Sequence, residues 1–158
     1  MKQITPFLWF TDQAEEAMNF YVSIFPNSRI VSINRYDGPE STGTVTTGTF
    51  QLNGRDFMAL NGGPHFAFTE AISLFVDCET QEEIDQLWDK LTEGGEPSRC
   101  GWLKDKYGLS WQIIPSALGE LLGDPDADKS RRVMEAMMRM DKIDIQALRD
   151  AYDGVATT

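Results

Sequence analysis

The 158 residues carry 25 acidic against 14 basic side chains, a formal net charge of −11, with 41 % hydrophobic and 11 % aromatic residues. The length and apolar share suit one domain with a core of its own. The acidity argues against nucleic acid and against an anionic membrane surface, both of which call for clustered Lys and Arg. No apolar run is long enough to span a bilayer, and Met1–Pro6 lacks the apolar stretch of a secretion signal. With only Cys78 and Cys100 as thiols, the chain reads as a cytoplasmic protein with reduced cysteines.

In chain order, Ile4–Phe10 is apolar and aromatic and predicts a strand. Thr11 or Asp12 is positioned to cap a helix in which Ala14, Ala17, Met18, Tyr21 and Ile24–Phe25 recur at helical spacing, ended by Pro26–Asn27. Arg29–Tyr36 alternates as a strand, residues 37–43 form a polar loop, and Val45–Leu52 is β-branched-rich. Asn53–Gly54 is a strong hairpin signal, with Arg55–Asn61 as the returning strand. The order strand, helix, three strands then repeats. Gly62–Pro64 is a linker, Ile72–Val76 a strand ending at Asp77–Cys78, and Thr80 with Glu83 a capping box. The helix that follows has the stripe Ile84, Leu87, Trp88, Leu91 and stops at Gly94–Gly95. A weak strand lies at Glu96–Ser98. The run from Arg99 to Pro115 then reads as two strands joined by a polar turn containing Gly108.

Alternation on the last strand places Ser110, Gln112 and Ile114 on one face and Trp111 and Ile113 on the other. From Ser116 the pattern is helical. Residues 117–122 form a short helix, and Asp124–Pro125 reads as a cap with Pro at the first helical position. Val133, Met134, Met137 and Met138 make one apolar stripe; Ile143, Ile145, Leu148 and Tyr152 make another. Such a tail covers a sheet face or a partner subunit. Val155–Thr158 is expected to fray.

The fold class is therefore α+β: two tandem βαβββ modules whose sheets enclose a cleft, with a helical tail. Residues 1–115 form the main domain, from modules 1–61 and 72–115, and residues 116–158 form the tail. The repeat, together with Pro6–Phe10, Ala14–Tyr21, Asn61–Phe66, Cys100–Asp105, Ser110–Pro115 and Lys142–Ile145, resembles the PhnB-like branch of the glyoxalase, or vicinal oxygen chelate, superfamily. Members of that branch often bear the label 3-demethylubiquinone-9 3-methyltransferase, and relatives are commonly homodimers. The resemblance thus implies a homodimer.

Metal-dependent members of the superfamily hold a divalent ion with His, Glu and Gln from the first, fourth, fifth and eighth strands. Carried over, those positions fall at Thr5, near Ala59, at Ala71 and at Gln112. Only Gln112 is a usable donor, and a neutral amide is a weak one beside imidazole or carboxylate. No metal and no cofactor are therefore expected.

His65 is the one histidine, a candidate acid or base; its simpler role is to fix the crossover between modules by hydrogen bonding. Cys100 is a candidate nucleophile on a pocket-forming strand; the simpler reading is a small buried apolar residue. Cys78, beside Asp77 and Glu79, is expected to be inert. Phe7, Trp9, Phe57, Phe75 and Trp102, with Asn61, Ser73, Ser110 and Gln112 as polar points, suit an aromatic-walled pocket for a flat organic ligand; the alternative is a filled core. The expected function is a metal-independent small-molecule-binding protein. The alternative is an enzyme of the superfamily, of lyase, isomerase or dioxygenase type. The methyltransferase label meets an objection: the first strand runs into Thr11–Asp12–Gln13 without the Gly-rich loop of a conventional S-adenosylmethionine enzyme.

Overall fold

The computed structural model describes residues 1–37 and 44–155; most of the polar loop expected at 37–43 lies outside them. The elements are β1 (Phe7–Phe10), α1 (Ala14–Ile24), β2 (Arg29–Asp37), β3 (Thr44–Leu52), β4 (Arg55–Asn61), β5 (Ser73–Cys78), α2 (Gln81–Thr92), β6 (Glu96–Pro97), β7 (Trp102–Lys104), β8 (Ser110–Pro115), α3 (Ser116–Leu122), α4 (Ala127–Met137) and α5 (Ile145–Asp153). The chain divides into two compact units, Met1–Phe68 and Thr69–Thr158. Each contains one βαβββ module, so the α+β repeat expected from the sequence is present, and the helical tail belongs to the second unit.

The first unit has a four-stranded sheet of order β1-β4-β3-β2, in which only β1 and β4 run parallel. Asn53 and Gly54 both take positive φ, 49° and 79°, as a two-residue hairpin of primed type requires. Helix α1 buries Ala14, Ala17, Met18 and Tyr21. Met18 sits so close over Gly48 that a Cβ there would stand 2.5 Å from its sulfur, and Tyr21 stacks on Phe50 with centroids 6.4 Å apart. Neither Thr11 nor Asp12 caps α1. The cap position is Gln13, with no side-chain bond. The parallel register sets Asn61 beside Phe10, and its Oδ1 accepts from Ala14 N at 2.7 Å. A side chain 47 residues away in sequence thus satisfies one of the free helix-start donors.

The second unit repeats the plan with order β5-β8-β7-β6 and β5 parallel to β8. Thr80 Oγ1 accepts from Glu83 N at 3.2 Å and starts α2 as expected. Ile84, Trp88 and Leu91 of α2 are buried, as are Leu103, Trp111 and Ile113 of the strands it packs against. The β7–β8 turn is tied by Asp105, which is 2 % exposed. Its Oδ1 accepts from Tyr107 N and Leu109 N at 2.9 and 3.1 Å, and its Oδ2 from Trp111 Nε1 at 2.9 Å.

The tail packs on its own unit. Val133, Ile143 and Leu148 form a buried cluster with Leu118 and with Ile114 of β8. Gln81 of α2 fastens it: Oε1 accepts from Ile145 N at 2.8 Å and Nε2 donates to Ile143 O at 3.0 Å. Three expectations need correction. The predicted methionine stripe splits: of its four residues Val133 and Met137 pack in the cluster, joined by Ala136, while Met134 and Met138 are exposed. The cap of α4 is Asp126, accepting from Asp128 N and Lys129 N, while Asp124 takes the Tyr152 hydroxyl at 2.6 Å. Val155 is held to Asp150 O at 2.8 Å beyond a left-handed Gly154, which corrects the fraying expected at that residue; the rest of that stretch, 156–158, lies outside the described residues. Among the described residues no helix is long and apolar enough to cross a membrane.

Candidate functional site

In the second unit, strand alternation puts Leu74, Leu103, Trp111 and Ile113 toward α2 and leaves the other face to a different set. The register lines these up in two rungs. One rung runs Ser73, Ser110, Lys104, Glu96; the next runs Phe75, Gln112, Trp102. The face therefore carries Ser110 and Gln112 together, as the alternation predicts, and joins to them Ser73, Phe75 and Trp102. Beyond the second rung, Ile114 enters the tail cluster, so the tail helices close that end of the face.

At the other end is a half-open pocket of about 290 Å³, lined by Glu70, Glu96, Ser98, Trp102, Lys104 and Ser110, with Pro97 and Leu103 behind them. Ser110 is 1 % exposed, and its Oγ has no hydrogen-bond partner among the described residues. A buried hydroxyl in that state costs about 1–3 kcal/mol. Gln112 Nε2 donates across the rungs to Ser73 Oγ at 2.9 Å, so Ser73 has a partner while Ser110 beside it has none among the described residues. Lys104 Nζ pairs with Glu70 and lies 4.0 Å from Glu96. The hydrogen bond from Lys104 holds the Glu70 carboxyl below the usual carboxylate range, and the same bond raises the ammonium of Lys104. Lys104, Glu70 and Glu96 are residues the sequence reading did not single out. Alternation signals Lys104, which it puts on the face of Trp102; Glu70, in the connection ahead of β5, and Glu96 carry no such local signal.

The other expected site residues lie elsewhere. Phe7 and Trp9 share the face of the first sheet that points away from α1, with Met58 and Leu60 as register partners. Phe57 and Asn61 have the opposite parity. Phe57 stacks on Phe50 at 5.5 Å, beneath Tyr21 of α1, and Asn61 caps that helix. The expectation that these two side chains line the same pocket as Phe7 and Trp9 is corrected on this point. Trp9 is itself engaged: its Nε1 donates to Gly63 O at 3.0 Å, its indole packs over Gly62, and its ring meets Phe66 edge-on at 4.9 Å. Backbone bonds from Gly62 N to Phe10 O and Gly63 N to Thr11 O continue the parallel pairing. The module crossover is thus tied by Trp9 and the two glycines, while His65 stands exposed beyond them.

Cys100 is not on a strand. It occupies the turn before β7 with φ 59°, its N–H donating to Met140 O at 2.8 Å, while Gly101 N donates to Asp141 O at 2.8 Å. A Cβ on Gly101 would stand 2.6 Å from Ile114 Cδ1 and 2.9 Å from Ile113 O of β8, and 3.1 Å from Ile143 Cγ1 of the tail, so glycine, at φ 83°, lets the turn lie this close to both. This turn joins tail to sheet. Cys78 is buried and its thiol is pushed up to about 12, by burial first and then by the charges of Glu83 and Asp77. Glu83, one turn into α2, acts where Glu79 was expected.

The carried-over metal positions do not fit a divalent ion. Thr5 offers a hydroxyl, Ala59 lies buried and has no donor, Ala71 sits two residues ahead of β5 with none, and Gln112, which donates its amide N–H₂ to Ser73, offers only the neutral Oε1, a weak ligand. Among the described residues no three His, Cys, Asp or Glu side chains converge.

Two βαβββ modules with mixed four-stranded sheets of this order define a protein of the glyoxalase, or vicinal oxygen chelate, class. A family model described as 3-demethylubiquinone-9 3-methyltransferase matches residues 2–114, and the chain belongs to that PhnB-like family. A PhnB protein from Bacillus cereus, whose name bears a provisional label for the same methyltransferase, is 44 % identical over 73 % of this chain and 100 % of its own, with a TM-score of 0.67. The fold is shared with a Pseudomonas aeruginosa protein (17 % identity, 73 % of this chain and 98 % of that one, TM-score 0.59). It is shared also with a fosfomycin resistance protein, FosX, from Listeria monocytogenes (16 % identity, 77 % and 97 %, TM-score 0.57). No curated protein matches the chain.

Proposed function

We propose that this chain is a metal-independent small-molecule-binding protein of the glyoxalase class, which takes its ligand in the pocket over the Ser110 rung of the second sheet. The carrying observation is the buried, unpaired Ser110 hydroxyl in a pocket walled by Trp102. Buried polar groups are nearly always satisfied, and an exception calls for a partner. A ligand that supplies the missing bond and covers the indole gains from both.

Metal independence rests on the side chains at Thr5, Ala59, Ala71 and Gln112: the alanines have no donor, and a hydroxyl and a neutral amide are poor ligands for zinc or nickel. The methyltransferase label is not adopted. Both sheets are mixed, and β1 leads to α1 through Thr11–Gln13, whereas conventional S-adenosylmethionine binding uses a doubly wound parallel sheet with a Gly-rich first loop. A cytoplasmic homodimer is part of the same reading; light scattering of the purified chain checks the dimer.

The test is thermal stabilisation of the purified chain by a panel of aromatic and quinone-like compounds, alongside elemental analysis and calorimetry with S-adenosylmethionine. A shift that is abolished by Ser110→Ala is expected, with no stoichiometric divalent ion and no S-adenosylmethionine heat. A bound ion lost on Gln112→Ala would overturn the metal-free reading, and a panel without any shift would overturn the binding reading.

A further inference from the structure

Resting on the reading of this pocket as a ligand site, we infer that its ligand is an organic cation: an aromatic amine whose ring covers Trp102, whose ammonium meets Glu70 and Glu96, and whose polar ring substituent reaches Ser110. The rim carries two carboxylates and one ammonium, an excess of one negative charge. Lys104 is already committed to Glu70, with Glu96 4.0 Å away. An anion entering here must displace Glu70 from Lys104 and then face Glu96. A cation needs neither step, because a carboxylate oxygen not used by Lys104 can accept from it.

The whole-chain charge of −11 adds an attractive field for a cation and a repulsive one for an anion. Trp102 forms the pocket wall, and the indole face is the strongest aromatic partner for an ammonium group. Ser110 is the second, independent feature. Its hydroxyl can donate or accept, is buried, and is unpaired. The volume, about 290 Å³, corresponds to roughly ten water molecules. That accommodates a one-ring or fused-ring amine rather than a long chain.

Three probes of one shape separate the charge from the ring: tyramine, para-ethylphenol and phloretate, titrated calorimetrically into the full chain at low salt. Tyramine is expected to bind about tenfold more tightly than para-ethylphenol, with phloretate weakest, and the advantage is expected to shrink as salt screens the rim. Glu70→Gln with Glu96→Gln, both on the surface, is expected to remove that advantage and to improve phloretate by freeing Lys104. Ser110→Ala is expected to weaken tyramine and para-ethylphenol alike. The inference is overturned if para-ethylphenol or phloretate binds as well as tyramine, if the double variant leaves tyramine unchanged, or if Ser110→Ala has no effect. In the first two cases the pocket remains a small-molecule site. If all three probes fail while the aromatic panel yields a ligand, the cation inference alone falls; if the panel is silent as well, both readings fall.

Discussion

Trp111 Nε1 donates to Asp105 Oδ2 at 2.9 Å, a bond between a buried indole and a buried carboxylate. The same carboxylate takes two backbone N–H groups of the β7–β8 turn. It thereby holds Lys104 at the end of β7 in register with Ser110 at the start of β8, and so sets the rung on which the pocket is built. Asp105→Ala strands three donors, and the expected loss is about 3 kcal/mol. Asp105→Asn keeps the Oδ1 acceptor for the turn and loses roughly half as much. Urea unfolding of the three proteins measures both, and equal stability of wild type and alanine variant would remove the turn from this role.

Asn61 distinguishes a structural from a ligand-binding reading of the first sheet. Asn61→Ala removes the acceptor for Ala14 N and should cost about 1 kcal/mol, the usual worth of an N-terminal cap. Ligand affinity should stay unchanged. Parallel denaturation and binding titrations decide; weaker binding at unchanged stability would return Asn61 to the ligand site.

Cys78 should be unreactive while the protein is folded. With its thiol pushed up to about 12, Cys78 is about one part in ten thousand thiolate at pH 8. Native protein treated with iodoacetamide should therefore take no label at Cys78 until it unfolds, as peptide mapping would reveal. The sign for stability follows from linkage. Folding raises this pKa above its unfolded value, so the contribution is complete below about pH 8.5 and is lost as pH climbs toward 12. Cys78→Ala should unfold with a shallower alkaline decline than wild type.

Gln81 is the pin between α2 and the tail. Gln81→Leu leaves Ile145 N and Ile143 O without partners and is expected to cost about 1–2 kcal/mol. The tail should open before the sheet does. Hydrogen exchange should speed at residues 145–152 and stay slow along β8; uniform acceleration of both would show that tail and sheet unfold as one.

Much of this molecule was legible in its residue order. The Asn53–Gly54 hairpin, the Thr80 cap, the stripe of α2 and the parity of β8 all rest on local rules: positive φ at a turn, a hydroxyl at a helix start, and apolar residues recurring at a fixed period. The parity of β8 could be read because Ser110 and Gln112 alternate with Trp111 and Ile113. The parity of β4 could not. Phe57, Met58, Ala59 and Leu60 are apolar on both sides, so no alternation marks the face that meets α1, and only the register with β1 and β3 decides it. Register likewise made Asn61 a cap and set Glu96 beside Lys104, while the connection ahead of β5 brings in Glu70. Chain sequence settles contacts that lie within a turn or a helical repeat. Contacts between residues tens of positions apart depend on which strands pair and in what register, and that choice is made by the burial of the whole sheet.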